Sequence, residues 1–75
     1  MFRPERAIWN GPQLKKDRLL AGYSQAELAE LSGLETVTYG QYERGEVVPD
    51  VEDAVNIACV LGYYIERYLR FEICE

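Results

Sequence analysis

A chain of 75 residues closes about one hydrophobic core, which excludes a second domain. With 48% hydrophobic and 28% charged residues, the composition is that of a folded protein and excludes a disordered tail. Thirteen acidic residues against eight basic ones give a formal net charge of −5, the reverse of the basic balance that usually accompanies nucleic-acid binding.

Cys59 and Cys74 are too few and too far apart for a metal cage or a disulfide framework, and there is no histidine to complete a zinc site. No metal and no cofactor are expected. No apolar run approaches the ~20 residues needed to span a bilayer, and the N-terminus lacks the apolar region of a signal peptide. The expectation is a cytoplasmic protein with no membrane partner.

Residues 1–10, MFRPERAIWN, show no period and read as an N-terminal arm. Trp9 is expected against the helical body or a partner. Arg3 and Arg6 supply the arm's positive charge, suited to reaching along DNA or to plain solvation. Asn10-Gly11-Pro12 then opens a first helix over about Pro12 to Ala21, with Asn10 as cap and Pro12 in an early position where its missing N–H costs nothing. Leu14, Arg18 and Ala21 share one face, and Gly22 supplies the stop. Leu19 and Leu20 widen the apolar surface toward another element, Trp9 or the C-terminus.

Ser24 and Glu27 form a capping box that starts the second helix, whose core face is Leu28 and Ala29, with Leu31 as a further candidate. Gly33 ends it. A third helix follows over about Glu35 to Tyr42; Tyr39 and Tyr42 share the inward face, leaving Glu35, Thr36, Val37, Gly40 and Gln41 outside. Arg44 to Pro49 is a loop. Asp50 caps a fourth helix in which Val51, Ala54, Val55, Ala58 and Leu61 follow a helical rhythm until Gly62. Residues 63–75 carry two patterns. Ile65, Tyr68, Leu69 and Ile73 make a helical stripe, whereas Leu69, Phe71 and Ile73 alternate with Arg70 and Glu72 as in an edge strand. The favoured expectation is a fifth helix through about Leu69, with the last six residues open.

Leu14 and Arg18, the run Ser24-Gln25-Ala26-Glu27-Leu28-Ala29, Gly33, Glu43-Arg44-Gly45, Pro49 and Leu61-Gly62 together make this chain resemble the helix-turn-helix domain of the phage repressor, Cro and xenobiotic-response-element family. The resemblance covers about two thirds of the chain. It implies an all-α, five-helix bundle of the lambda-repressor type, with residues 11–62 as the DNA-binding domain; residues 63–75, outside the resemblance, are expected to form a helix or strand that serves as a dimerisation segment. It further implies a homodimer on double-stranded DNA, repressing or activating transcription for a phage or mobile element. By position, Gln25 contacts a phosphate, Glu35, Thr36, Val37 and Gln41 read bases, and Arg18 with Glu43 forms a structural ion pair.

Chemistry alone supports those reading positions. Glutamine pairs bidentately with adenine, threonine and valine meet the thymine methyl, and glutamate accepts from cytosine N4. Lys15, Lys16 and Arg44, with Arg3 and Arg6, are the candidate phosphate contacts. Tyr64, Ile65, Tyr68, Leu69, Phe71 and Ile73 offer more apolar surface than a small core buries, the basis for expecting dimerisation. An alternative is a protein-interaction module, an antirepressor or the partner of a toxin or another regulator, on the same fold with an acidified DNA face. The net charge and Glu46 favour it. An enzyme is not expected, because the chain has no histidine or phosphate-binding glycine loop, and its Ser, Cys and carboxylates do not converge on a pocket.

Overall fold

The computed structural model describes residues 4–73. Strand β1 (Pro4–Trp9) leads into helices α1 (Gly11–Ala21), α2 (Gln25–Leu31), α3 (Thr36–Glu43) and α4 (Val51–Leu61), then a 3-10 turn (Ile65–Arg67) and strand β2 (Leu69–Ile73). Local chemistry sets the helix starts. The Asn10 side chain accepts from the Gln13 N–H, the Ser24–Glu27 capping box closes in both directions, and the Asp50 side chain accepts from the Asp53 N–H. Gly33, at φ +76°, makes the left-handed bend that turns α2 into α3.

Two expectations for the chain ends are corrected. The fold is not an all-α, five-helix bundle, because the fifth helix is reduced to one 3-10 turn and the arm is a strand. β1 and β2 pair antiparallel, with Ala7 opposite Phe71, Ile8 opposite Arg70 and Trp9 opposite Leu69. The alternation of Leu69, Phe71 and Ile73 therefore prevails over the helical stripe, since β1 supplies the partner that a strand requires. The register shifts between Pro4 and Arg6, which breaks any two-residue period in the arm.

The core gathers Leu14, Leu28, Ala29, Tyr39, Tyr42, Ile57, Ala58 and Tyr68, with Trp9, Tyr23 and Leu34 packed against it. Ile57, absent from the expected stripe, rotates the buried face of α4 to Ala54, Ile57 and Ala58; Val51 and Val55 are exposed instead. Both stripes satisfy the helical period, and the one that buries the larger isoleucine is the one adopted. Leu19, Leu20 and Leu31 are likewise exposed, so neither Trp9 nor the described part of the C-terminal segment covers Leu19 and Leu20.

Gly11 fixes how closely α1 meets α3: a Cβ there would collide with the Glu43 carbonyl. The terminal segments are tied to the same region. Trp9 Nε1–H donates to the Tyr42 carbonyl at 2.7 Å, and its ring lies 5.9 Å from that of Tyr68. Asp17, buried on α1, accepts from Tyr68 Oη at 2.6 Å, Gln13 Nε2 at 3.0 Å and Arg67 Nε at 2.6 Å. Arg67 in turn stacks 4.1 Å from the centre of the Tyr63 ring. No helix among the described residues is long and apolar enough to cross a membrane.

Candidate nucleic-acid interface

Helix α3 has two faces with different tasks. Tyr39 and Tyr42 point inward, as their spacing requires, while Thr36 and Val37 are exposed, Val37 to 73%. Gln41 is half-buried beside them, one turn after Val37. Glu35 occupies the N-cap position of α3, exposed at the entry to the outward face and without a side-chain cap hydrogen bond.

The orientation of that face is fixed from behind by Glu43. Its carboxylate accepts from Arg18 Nε at 2.8 Å and Nη2 at 2.9 Å, from Tyr39 Oη at 2.6 Å and from Gln25 Nε2 at 3.0 Å. Arg18 Nη1 also donates to the Tyr23 carbonyl at 2.8 Å. Helices α1, α2 and α3 thus converge on one buried anion whose lone pairs are well supplied. Burial pushes the Glu43 carboxyl up, but the hydrogen bonds from Arg18, Tyr39 and Gln25 outweigh it and hold the group below its usual range. Burial, followed by the bond to Glu43, pushes the Tyr39 hydroxyl well above its ordinary value.

Arg18 and Glu43 therefore meet as expected. Gln25 stands at the first turn of α2, where its amide nitrogen donates one N–H to Glu43. Lys15 and Lys16 are exposed on α1. Arg44 is exposed just after α3 and paired with Glu46, Nε to Oε2 at 2.7 Å. Gly40, expected outside, is buried: the Arg44 side chain folds back over it, as helical side chains do over the turn that precedes them. Arg3 lies outside the described residues, as do the side chains of Arg6 and Ile73.

The expected dimerisation set divides in two. Tyr68 and Leu69 are buried in the chain's own core, at 1% and 6% exposure, and cannot also cover a partner. Tyr64, at 86%, and Phe71 are exposed, and Ile65 is half-buried. Sequence reasoning missed Asp17, whose partners Arg67 and Tyr68 lie fifty and more positions away, and it missed the pairing of Glu46 with Arg44. The second had a local signal, opposite charges two residues apart across Gly45; the first had none.

Comparison with known proteins agrees with this geometry. Residues 14–68 match the family described as helix-turn-helix. An uncharacterized HTH-type transcriptional regulator from the SPbeta prophage of Bacillus subtilis (strain 168), YonR, is 38% identical over 60 residues, which are 80% of this chain and 56% of that relative. The chain thus spans little more than half of the relative's length. Among solved structures, the P22 c2 repressor in complex with synthetic operator 9T is similar at TM-score 0.72 and 25% identity, over 75% of this chain and 85% of that one. SinR, a master regulator for biofilm formation, in complex with DNA is similar at TM-score 0.70 and 28% identity, over 75% and 90%.

Proposed function

The chain belongs to the helix-turn-helix family of the phage repressor, Cro and xenobiotic-response-element type, and from that premise we propose that it is a sequence-specific DNA-binding transcriptional regulator. It acts as a homodimer that lays α3 in the major groove of an inverted-repeat operator. The observation that carries this reading is the outward face of exposed Thr36 and Val37 with half-buried Gln41, on a helix held from behind by the buried Arg18–Glu43–Tyr39 network. A reading helix must present its side chains in fixed register, and that network supplies the rigidity.

In this reading Thr36, Val37 and Gln41 contact base edges, and Glu35 accepts from a cytosine. Gln25, Lys15 and Lys16 meet phosphates. Tyr64, Ile65 and Phe71 form the apolar part of the dimer surface. The similarity to the P22 c2 repressor and to SinR, each in complex with DNA, supports the docking mode.

A second reading, a protein-interaction module, is favoured by the net charge of −5 and by the engagement of Arg44 with Glu46. Salt titration separates the two. DNA binding loses affinity with rising salt at a log–log slope near −0.9 per neutralised phosphate, whereas an apolar protein interface loses little. A slope steeper than about −3 on duplex DNA supports the regulator, and no binding to any duplex at low salt supports the module.

A further inference from the structure

Between Glu35 and Gln41 the outward side of α3 carries no cation in sequence, yet the fold brings one there from beyond the helix end. Thr36, Gly40 and Arg44 are spaced four apart and form one row along α3, beside the row of Val37 and Gln41. The Arg44 side chain runs back along its row, and a Cβ on Gly40 would lie 3.0 Å from Arg44 Nη1. Glycine at position 40 leaves room for the guanidinium against the helix, where a Cβ would press its tip aside by a few tenths of an ångström. Glu46 grips the other edge, accepting from Nε at 2.7 Å and Nη2 at 3.4 Å. This two-point grip is also how an arginine holds a phosphate.

We propose that Glu46 is an internal phosphate mimic that withholds Arg44 from DNA, and so sets the affinity of the interface below what its cations could supply. The proposal rests on the DNA-binding reading. Glu46 acts through Arg44 and is therefore a positioning residue, not a contact. The pair is about half exposed, 54% and 53% for the two side chains, so removing the carboxylate leaves a solvated guanidinium already seated at the edge of the reading face. An exposed pair of this kind adds little to stability, which leaves function as the place where its loss shows.

The test is a salt titration of binding to a mixed-sequence DNA duplex by the native chain and the variants Glu46→Gln, Arg44→Ala and the double variant, all first checked for an unchanged melting temperature. Glu46→Gln is expected to tighten binding and steepen the log–log salt slope by about 0.9, one further neutralised phosphate, so that its advantage shrinks about 3.5-fold for each fourfold rise in salt. Arg44→Ala alone is expected to leave the slope unchanged, and the double variant to lose the whole gain. A gain that survives in the double variant overturns the proposal, because the carboxylate then acts by general repulsion of DNA. So does a reduced slope in Arg44→Ala alone, which would mean that Arg44 already holds a phosphate. Both outcomes leave the DNA-binding reading standing, whereas absence of binding by all four proteins overturns the two together.

Discussion

Arg18 and Glu43, on different helices and twenty-five positions apart, meet in a buried two-point ion pair with side chains 8% and 2% exposed. Such a pair is weak evidence of net stability, since both charges had to leave water. Its removal from one side is another matter. Arg18→Ala strands Glu43 in the interior and is expected to cost roughly 3 kcal/mol, read as a lowered denaturant midpoint and melting temperature. An unchanged melting temperature would contradict the role given to the pair.

Close approach at Gly11 gives a second prediction. Gly11→Ala drives a methyl group into the Glu43 carbonyl, backbone that cannot rotate aside, although alanine favours helix by about 1 kcal/mol. The clash is expected to outweigh the propensity and destabilise by roughly 1–3 kcal/mol. Thermal unfolding decides the sign, and a stabilised variant would mean that α1 and α3 can separate without loss.

Most of the helical frame was legible in the sequence, because capping residues and glycine stops act within a few positions of themselves. Ser24 with Glu27 and Asp50 with Asp53 needed no tertiary knowledge. The chain ends were not legible, since β1 and β2 exist only by pairing with each other across the whole domain. Nor was the fate of Tyr68 and Leu69: an aromatic-rich tail reads alike whether it covers its own core or a partner. The outward set Thr36, Val37 and Gln41 followed from Tyr39 and Tyr42 facing inward, whereas the burial of Gly40 depended on how Arg44 folds back. Ile57 was missed because α4 carries two apolar stripes of equal period.

Acid should loosen the contact between α1 and the C-terminal turn. Hydrogen bonding to Arg67 lowers the Asp17 carboxyl from 3.8 to about 2 against the opposing effect of burial. A carboxyl depressed on folding contributes stability that is fully present above its unfolded value and lost as pH falls through its folded one. Glu43 is shifted in the same direction. Unfolding free energy is therefore expected to hold steady from neutral pH to about 5 and to fall between about 4 and 2, with Asp17 contributing roughly 2 kcal/mol of the loss. Asp17→Asn should be less stable at neutral pH and show a shallower acid limb in urea titrations at successive pH values. An identical acid limb would contradict the assignment.

On the reading face, Gln41→Ala should relax preference at one base position of the bound sequence, by about 1–3 kcal/mol, without altering thermal stability. Val37→Ala should act at a neighbouring position through a lost apolar contact. Preference unaltered at every base would remove Gln41 from the residues that read DNA.

The central claim is that a dimer of this chain reads DNA with α3, and selection of bound duplexes from a random pool at low salt tests it most directly. The account predicts enrichment of an inverted repeat whose half-sites are centred about 34 Å apart, one turn of the double helix, with Gln41→Ala altering one symmetric pair of positions. Recovery of no enriched sequence, or of a single half-site whose preferences ignore every substitution on α3, would contradict it.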